Sequence, residues 1–307
     1  MTGSTPGGAL SDLPRYVYGT TRLGDEAIPR EQRVALARQV LDEGLWIHTS
    51  DQYGDALQVL GEAIAGRQEA PAAIVKIGGG TADDVRSTVL ANIGPLGIDR
   101  VALGQLSPVS GLERSLASGD ARVLDGLRDL KAEGLVGRFV LEVFPWTSEA
   151  PLAALRAGHL DDLVDGFILY INPLQRFAAN ALWDELQDRG SAVISMRTVA
   201  GNDVHTLRDV PGAAWQPYLR DRAAEVAPIF ERSGVNDWAE FCVRFALGLP
   251  GVVSTVGSTA RREHLDTYLR LTRTEVEPLP QDVVGEILAL QRRWSDETDV
   301  HAEPWTM

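Results

Sequence analysis

Cysteine is nearly absent from this sequence of 307 residues, which contains only Cys242. A single cysteine cannot form an internal disulfide, and it excludes metal sites that are built from several thiolates. Cys242 lies between Phe241 and Val243 in an apolar stretch. It is therefore interpreted as a small core residue.

Long apolar runs and basic clusters are also missing. No run approaches 18 apolar residues, so we expect no membrane span. The first ten residues lack the basic-then-apolar order of a secretion signal, and a cytoplasmic location is expected. Lys+Arg total 29 against 43 Asp+Glu, a net charge of −14, and the densest basic stretch is Arg261-Arg262. This acidic balance argues against nucleic-acid binding, and a small molecule is the expected partner. The sequence does not indicate the oligomeric state.

The rest of the composition is that of an ordinary globular protein, 44% hydrophobic and 23% charged. Short apolar runs alternate with amphipathic stretches along most of the chain. Eight strands are predicted at 16–20, 45–49, 72–77, 100–106, 138–144, 166–172, 192–199 and 252–258. Helices are predicted at 30–44, 56–66, 81–93, 123–134, 150–158, 178–190, 221–249, 261–271 and 281–294.

This alternation predicts an α/β fold, a (β/α)8 TIM barrel with an extra C-terminal helix at 281–294. The whole chain, 1–307, is predicted to be one domain with flexible tails at 1–14 and 296–307. A doubly wound open sheet is the alternative, but no Gly-x-Gly-x-x-Gly opens a helix after the first strand. The glycines at 78–80 are interpreted as a tight turn.

In a barrel of this kind the chemistry lies where the strands end, and two such residues suit acid–base work. Lys76 lies within the third strand and Tyr53 follows the second. A lysine beside a tyrosine lowers the pKa of the phenol by stabilising the phenolate, which prepares Tyr53 to exchange a proton. Two simpler interpretations stay open: Lys76 pairs structurally with an Asp or Glu, and Tyr53 is an ordinary loop tyrosine.

Six stretches, in order along the chain, resemble the aldo-keto reductase family. The stretch 45–54 is similar to the family's Asp-Thr-Ala-x-x-Tyr-Gly, and 137–140 to the Gly-Lys-x-Arg-x-Ile-Gly before the fifth strand. Val75-Lys76 is similar to the strand that carries the family lysine, 171–174 to the family's Tyr-Asn-Pro-Leu, and 196–201 to its Arg-Pro-Leu-Ala-Gly. The last stretch, 256–259 with 263–265, is similar to the segment that binds the cofactor phosphate.

The resemblance implies reduction of a small or medium aldehyde or ketone, with hydride from NADPH and a proton from Tyr53. The family's tetrad is Asp, Tyr, Lys and His. Here the aspartate position is His48, and the histidine position falls on Gln105 or Leu106. Tyr53, Lys76, His48 and Gln105 are therefore the candidate catalytic residues.

The positions that hold the cofactor in the family are also altered. Its Ser-Asn after the fifth strand reads Val143-Phe144, and its glutamine on the sixth reads Ile168. NADP(H) is still the expected cofactor, and no metal is expected, since His48 is the one histidine at a strand end. The candidate cofactor-binding residues are Arg197, Gly257, Ser258, Thr259 and Arg262, with a solvated helix start as the alternative for the last.

The candidate substrate pocket is built from residues at the predicted mouth: Trp46, Glu142, Phe144, Trp146 and Asn172. Packing under helices is the alternative for the two tryptophans, and an ion pair with Glu142 is the alternative for Arg197. Three functional hypotheses remain: an NADP(H)-linked oxidoreductase, a lyase, isomerase or cyclase on the same barrel that no longer uses a nicotinamide, and a non-catalytic binding subunit.

Overall fold

Eight parallel strands close into a barrel in the computed structural model, which describes residues 10–107, 112–200 and 218–300. The barrel strands are β1 (Tyr16–Gly19), β2 (Ile47–Thr49), β3 (Ala73–Ile77), β4 (Val101–Leu106), β5 (Val136–Glu142), β6 (Gly166–Asn172), β8 (Val193–Met196) and β9 (Val252–Ser258). Pairing of β1 with β9, and of β5 with β6, completes the ring. The predicted (β/α)8 barrel is confirmed.

A short ninth strand, β7 (Gln175–Arg176), turns back antiparallel to β6 at the mouth. Helices surround the barrel: α1 (Arg30–Asp42), α2 (Ala56–Ile64), α3 (Ala82–Leu96), α4 (Leu112–Ser118), α5 (Ala121–Ala132), α6 (Glu149–Arg156), α7 (Asn180–Asp188), α8 (Tyr218–Arg232), α9 (Trp238–Gly248), α10 (Arg262–Thr272) and α11 (Gln281–Trp294). The extra C-terminal helix is α11. Along the described ranges, no helix is long and apolar enough to span a bilayer.

The predicted helical region 221–249 is two helices. Gly234 has a left-handed φ of 79°, which ends α8, and the Asp237 side chain accepts a hydrogen bond from the Glu240 backbone, which starts α9. Helix α4 was not predicted from the sequence. Strand β5 ends at Glu142, so Val143 and Phe144 lie beyond it.

Side chains alternate between two cores, as the pleat of a strand requires. Ala73, Val75 and Ile77 of β3 pack outward against the helices, whereas Ile74 packs inward. The inward cluster fills the barrel, and its strand members are Val17, Ile74, Leu103, Val140, Ile168, Tyr170, Ile194, Met196 and Val256. The inward direction of each strand decides which polar side chains enter the barrel.

The described parts of the two expected tails pack on the barrel. Leu10 and Leu13 are buried in the inward cluster. At the other end, Asp299 is buried and its carboxylate pairs with Arg222 at 2.7 Å. Gln291 of α11 donates to the Asn172 backbone carbonyl at 2.8 Å, which fixes the end of β6.

Candidate active site

Four polar side chains point into the carboxyl end of the barrel from four consecutive strands, β2 to β5. Three of them lie two residues after Ile74, Leu103 and Val140, which face inward, and so share their direction. The fourth, His48, is the register partner of Ile74 and also faces inward. These residues are His48 on β2, Lys76 on β3, Gln105 on β4 and Glu142 on β5. Lys76 and Gln105 are direct register partners, His48 is paired with Ile74, and Glu142 lies two residues beyond Val140, the partner of Gln105. We refer to the four side chains together as the inward layer.

Lys76 and Glu142 form an ion pair inside this layer. The Lys76 Nζ lies 3.3 Å from Glu142 Oε2 and 3.4 Å from Oε1, and the angle suits a hydrogen bond only to Oε1. The Glu142 side chain is 0% exposed and that of Lys76 is 12% exposed. A carboxylate so buried requires a cationic partner, which Lys76 supplies. The structural interpretation that was open for Lys76, pairing with an acidic residue, is what the structure shows.

His48 forms a neutral pair with Gln105. Its Nε2 lies 2.6 Å from Gln105 Oε1, so the imidazole donates from Nε2. Burial lowers the pKa of His48 to about 4, opposed by the Gln105 hydrogen bond and reinforced by the Lys76 charge. His48 is therefore uncharged near neutral pH. The Gln105 Nε2 is buried without a hydrogen-bond partner in the described residues.

Tyr53 follows β2 at the mouth of the barrel, beside His48. The centroids of the two rings are 6.3 Å apart. Burial raises the pKa of the Tyr53 phenol, and the Glu142 carboxylate and Tyr170 raise it further. A hydrogen bond with Thr21 and the charge of Arg197 lower the pKa but do not offset the rise. The expected lowering of this pKa is wrong, because burial has the largest effect on the phenol and outweighs the groups that lower its pKa.

The loop that carries Tyr53 is held against the loop after β1. A Cβ on Gly24 would lie 1.9 Å from the Tyr53 backbone oxygen, and Gly54 has a φ of 55°. The buried Arg33 of α1 donates to the Leu23 carbonyl at 2.6 Å and also pairs with Asp55. These contacts fix the backbone on both sides of Tyr53.

Aromatic rings form one wall of the mouth. Phe144 stacks on Trp146 at 5.2 Å between centroids and meets Tyr170 edge-on at 5.8 Å. Phe177 stacks on Tyr170 at 5.4 Å. The Arg197 guanidinium lies over the Tyr170 ring, 4.6 Å from its centroid, in a cation–π contact. The wall presents apolar surface with one cation beside it.

Arg197 is held in a strained backbone conformation. Its φ of 49° is the one left-handed value of a non-glycine residue in the described part of the chain. Such strain costs about 1–3 kcal/mol and persists only where neighbours enforce it. Here the Asn172 Nδ2 donates to the Arg197 carbonyl at 3.0 Å. The alternative of an Arg197–Glu142 ion pair is not observed, because Lys76 is the partner of Glu142.

Two predicted pocket residues have other roles. The Asn172 side chain is fully buried, and its amide and carbonyl bind Arg197, Gln175 and the Leu174 backbone. It shapes the mouth rather than facing a ligand. Trp46 precedes β2, at the amino end of the barrel, and packs there on the inward cluster. Because Tyr53 lies at the carboxyl end, Trp46 belongs to the core and its assignment to the pocket is corrected.

The end of β9 and the start of α10 form the other side of the mouth. The Ser258 hydroxyl accepts from the Arg22 backbone at 3.0 Å, and the Thr259 hydroxyl accepts from the Arg261 backbone at 3.0 Å. Gly257 leaves room for Tyr268, whose ring a Cβ would meet at 2.6 Å. Helix α10 begins without a side-chain cap, and the Arg262 side chain is 76% exposed with Asp266 3.9 Å away.

A polar cavity of about 360 Å³ lies beside the mouth, between the loops that follow β2 and β3. Its lining residues are Asp51, Gln52, Gly78, Gly79, Asp84, Ser87 and Thr88. None of the four inward polar residues lines it. Within ranges 10–107, 112–200 and 218–300, no three or more His, Cys, Asp or Glu residues are grouped to hold a metal ion.

Comparison with known proteins assigns the family. The model of the Aldo/keto reductase family matches residues 15–292, most of the chain. The chain belongs to this family. Searching curated proteins gives no match.

Solved structures of other family members share the fold. An aldo-keto reductase from Bacillus halodurans in its holo form is 18% identical, with 91% of this chain and 95% of that one covered and a TM-score of 0.67. One from Klebsiella pneumoniae in complex with NADPH is 18% identical, with coverage of 91% and 92% and a TM-score of 0.66. A putative one from Pseudomonas aeruginosa is 17% identical, with coverage of 93% and 95% and a TM-score of 0.60.

The residues of this aldo-keto reductase fit a nicotinamide nucleotide at one end. An uncapped helix N-terminus with the exposed guanidinium of Arg262 suits a phosphate group. At the other end the positions of the family's amide and hydroxyl donors are apolar. Val143 and Ile168 are fully buried, and Phe144 is part of the aromatic wall. The fit is therefore good for the phosphates and poor for the carboxamide.

Sequence reasoning missed three residues of this aldo-keto reductase's site. Tyr170 and Phe177 complete the aromatic wall, and Thr21 binds Tyr53. The alternation along β6 could have found Tyr170, because Ile168 two residues earlier faces inward. Phe177 lies in a loop and Thr21 begins the short 3-10 helix Thr21–Gly24, and no periodicity indicates the direction of either side chain.

The close approach of Gly24 to Tyr53 generates a prediction. Gly24→Ala forces the two loops apart, and we expect a loss of about 1–3 kcal/mol in the free energy of unfolding. Chemical denaturation followed by circular dichroism measures it. The matched control is Gly78→Ala, where a Cβ meets nothing within 4 Å. Equal stability of the two variants would contradict the contact.

The buried neutral His48 generates a second prediction. Its pKa is about 4 in the folded protein against an ordinary value of 6.5, so the unfolded chain binds more protons between these values. This contribution to stability is complete above pH 6.5 and is lost as the pH falls to 4, about 3 kcal/mol in all. In His48→Gln this loss should disappear. Unfolding free energies of both proteins at pH 7, 6, 5 and 4 test it, and parallel curves would refute it.

Proposed function

We propose that the protein is an NADP(H)-linked oxidoreductase that reduces a small or medium carbonyl compound. Membership of the aldo/keto reductase family supports an oxidoreductase. The observation that carries the proposal is Tyr53, a phenol kept protonated at the mouth by its raised pKa. A protonated phenol can donate to a carbonyl oxygen as negative charge develops there.

Tyr53, Arg197 and the residues of the inward layer each have a defined part in this proposal. Tyr53 donates its proton to the substrate oxygen, and Arg197 offsets the phenolate charge that remains, as its effect on the Tyr53 pKa indicates. His48 is neutral and adds no competing charge, while Gln105 orients its ring. The charge of Lys76 is compensated by Glu142. The arrangement favours proton donation over proton abstraction.

The bound nucleotide would supply the hydride. We propose that its phosphates are held by Arg262 and the start of α10, with Gly257, Ser258 and Thr259 shaping the loop before that helix. Arg197 follows β8, the neighbour of β9 in the barrel, and its guanidinium lies over Tyr170. The NADPH complex of the Klebsiella pneumoniae relative supports this cofactor for the shared fold.

The proposed substrate site is the aromatic wall with the layer beneath it. Phe144 and Trp146 are half-buried and stacked, so they offer apolar surface to a ligand that enters above Glu142. This supports a small-molecule substrate with an apolar portion next to its carbonyl group.

A second candidate is a non-redox enzyme, such as a lyase, isomerase or cyclase, on the same barrel. The observation that favours it is the apolar character of Val143, Phe144 and Ile168, where the family pattern places groups that bind the carboxamide. Loss of these hydrogen bonds, each worth about 0.5–1.5 kcal/mol, would weaken the placement of a nicotinamide.

Nucleotide binding separates the two candidates. We expect NADPH to quench the intrinsic fluorescence of the protein in a saturable titration and to bind more tightly than NADH. Arg262→Ala should weaken NADPH binding about tenfold and leave NADH unchanged, since it removes a partner of the 2′-phosphate. The control is Arg270→Ala on the same helix. No binding of either nucleotide at millimolar concentration would replace the redox proposal by the second candidate.

Removal of the proposed proton donor provides the chemical test. Tyr53→Phe should lower NADPH-dependent reduction of an aldehyde such as 4-nitrobenzaldehyde by about 100-fold or more. The dissociation constant for NADPH should stay the same. Consumption of NADPH at the wild-type rate by Tyr53→Phe would exclude Tyr53 as the donor.

A further inference from the structure

A carboxylate from an unexpected strand balances the lysine of the site. The family resemblance predicts an acidic residue on β2, and that position is occupied by the neutral His48. The carboxylate that pairs with Lys76 belongs to Glu142, on β5. We propose that Glu142 is the positioning residue that fixes Lys76 at the carboxyl end of the barrel, so that the negative charge of the site has moved from β2 to β5. This inference rests on the proposed function.

The geometry of the barrel explains why the charge can move. Strands β3 and β5 are separated by β4, and two strand spacings amount to about 10 Å. Two long side chains that both point into the barrel can bridge this distance, and Lys76 and Glu142 meet at 3.3 Å. Gln105, on the intervening strand β4, is the register partner of Lys76, and its side-chain carbonyl oxygen accepts the hydrogen bond from His48. An uncharged side chain on the intervening strand leaves the two charges to each other.

The place of the pair in the site argues for more than a structural role. A fully buried carboxylate is costly to desolvate, and a hydrophobic pair would fill the same volume. Glu142 acts on Tyr53 directly, since its charge helps to raise the pKa of the phenol. Lys76 also acts on its other neighbour, because its charge helps to lower the pKa of His48. The pair thus sets the protonation states of both rings at the mouth.

The groups around Tyr53 come from every side of the mouth. Those that act on it are Thr21 after β1, Glu142 on β5, Tyr170 on β6 and Arg197 after β8. His48 on β2 is adjacent and neutral, and Lys76 on β3 is neutralised by its partner. Glu142 is the anion among them and raises the pKa of Tyr53, so its removal should lower that pKa. Without it Tyr53 should ionise at lower pH.

Three proteins test the proposal: the wild type, Glu142→Gln, and the double variant His48→Asp/Glu142→Gln, which returns the carboxylate to β2. Ionisation of Tyr53 is measured without nucleotide by ultraviolet difference titration, with the same protein carrying Tyr53→Phe as the reference. We expect Tyr53 to ionise at lower pH in Glu142→Gln and to return towards the wild-type pH in the double variant. The matched control is Glu133→Gln, which breaks an ion pair with Arg86 on the outer surface.

Kinetics with NADPH and 4-nitrobenzaldehyde give the second measurement. Glu142→Gln should lower kcat about tenfold or more with little change in the KM for NADPH, and the double variant should recover most of the loss. Unchanged Tyr53 ionisation and kcat in Glu142→Gln would overturn the proposal. So would a double variant that folds like the wild type and recovers neither quantity.

A measurement on the wild type keeps the proposal testable if the variants do not fold. The chain contains two lysines, Lys76 and Lys131. In protein with isotope-labelled lysine, the Cε signal of Lys76 should report an immobilised side chain, unlike that of Lys131, which is half-buried and 3.6 Å from Asp165. Equal mobility of the two lysines would overturn the proposal. If no protein consumes NADPH, the proposed function fails, while the titration and the lysine signals still decide whether Glu142 fixes Lys76.

Discussion

Closure of the barrel is the constraint on which the site depends. Strand β1 pairs with β9, and β5 with β6, so every strand has two neighbours and one face turned inward. The inward face has little volume, and hydrophobic side chains fill most of it. His48, Lys76, Gln105 and Glu142 enter it at the carboxyl end, where they pair with one another. Glu142 and Lys76 are the charged members of that set, and each supplies the opposite charge that the other needs when it is buried.

This mutual dependence links the chemistry to the packing. Lys76 is paired with Glu142 and His48 is uncharged, so neither side chain offers an unpaired positive charge to Tyr53. Burial then controls the phenol, and its pKa rises instead of falling. Arg197 is the cation that still acts on Tyr53, and it is held by a strained backbone and by a cation–π contact. The site is arranged around Tyr53, and the positive charge of Arg197 favours its phenolate form.

The sequence predicted the fold well, because β/α alternation survives large changes in the active site. The barrel, the extra C-terminal helix and the family resemblance are all confirmed. It also indicated that Tyr53, Lys76, His48 and Gln105 lie near the mouth, since strand ends meet there. It did not predict which of them pair. Lys76 was assigned to Tyr53, and Trp46 was placed at the wrong end of the barrel.

What the sequence alone determined is therefore the order of strands and helices and the residue types available at each strand end, which follow from local periodicity. The tertiary structure decided the partners. Glu142 and Lys76 are 66 residues apart and come from strands that are not neighbours, so only the curvature of the closed sheet brings them together. The pKa shifts of His48 and Tyr53 depend on burial and on these contacts. Neither is a property of the local sequence.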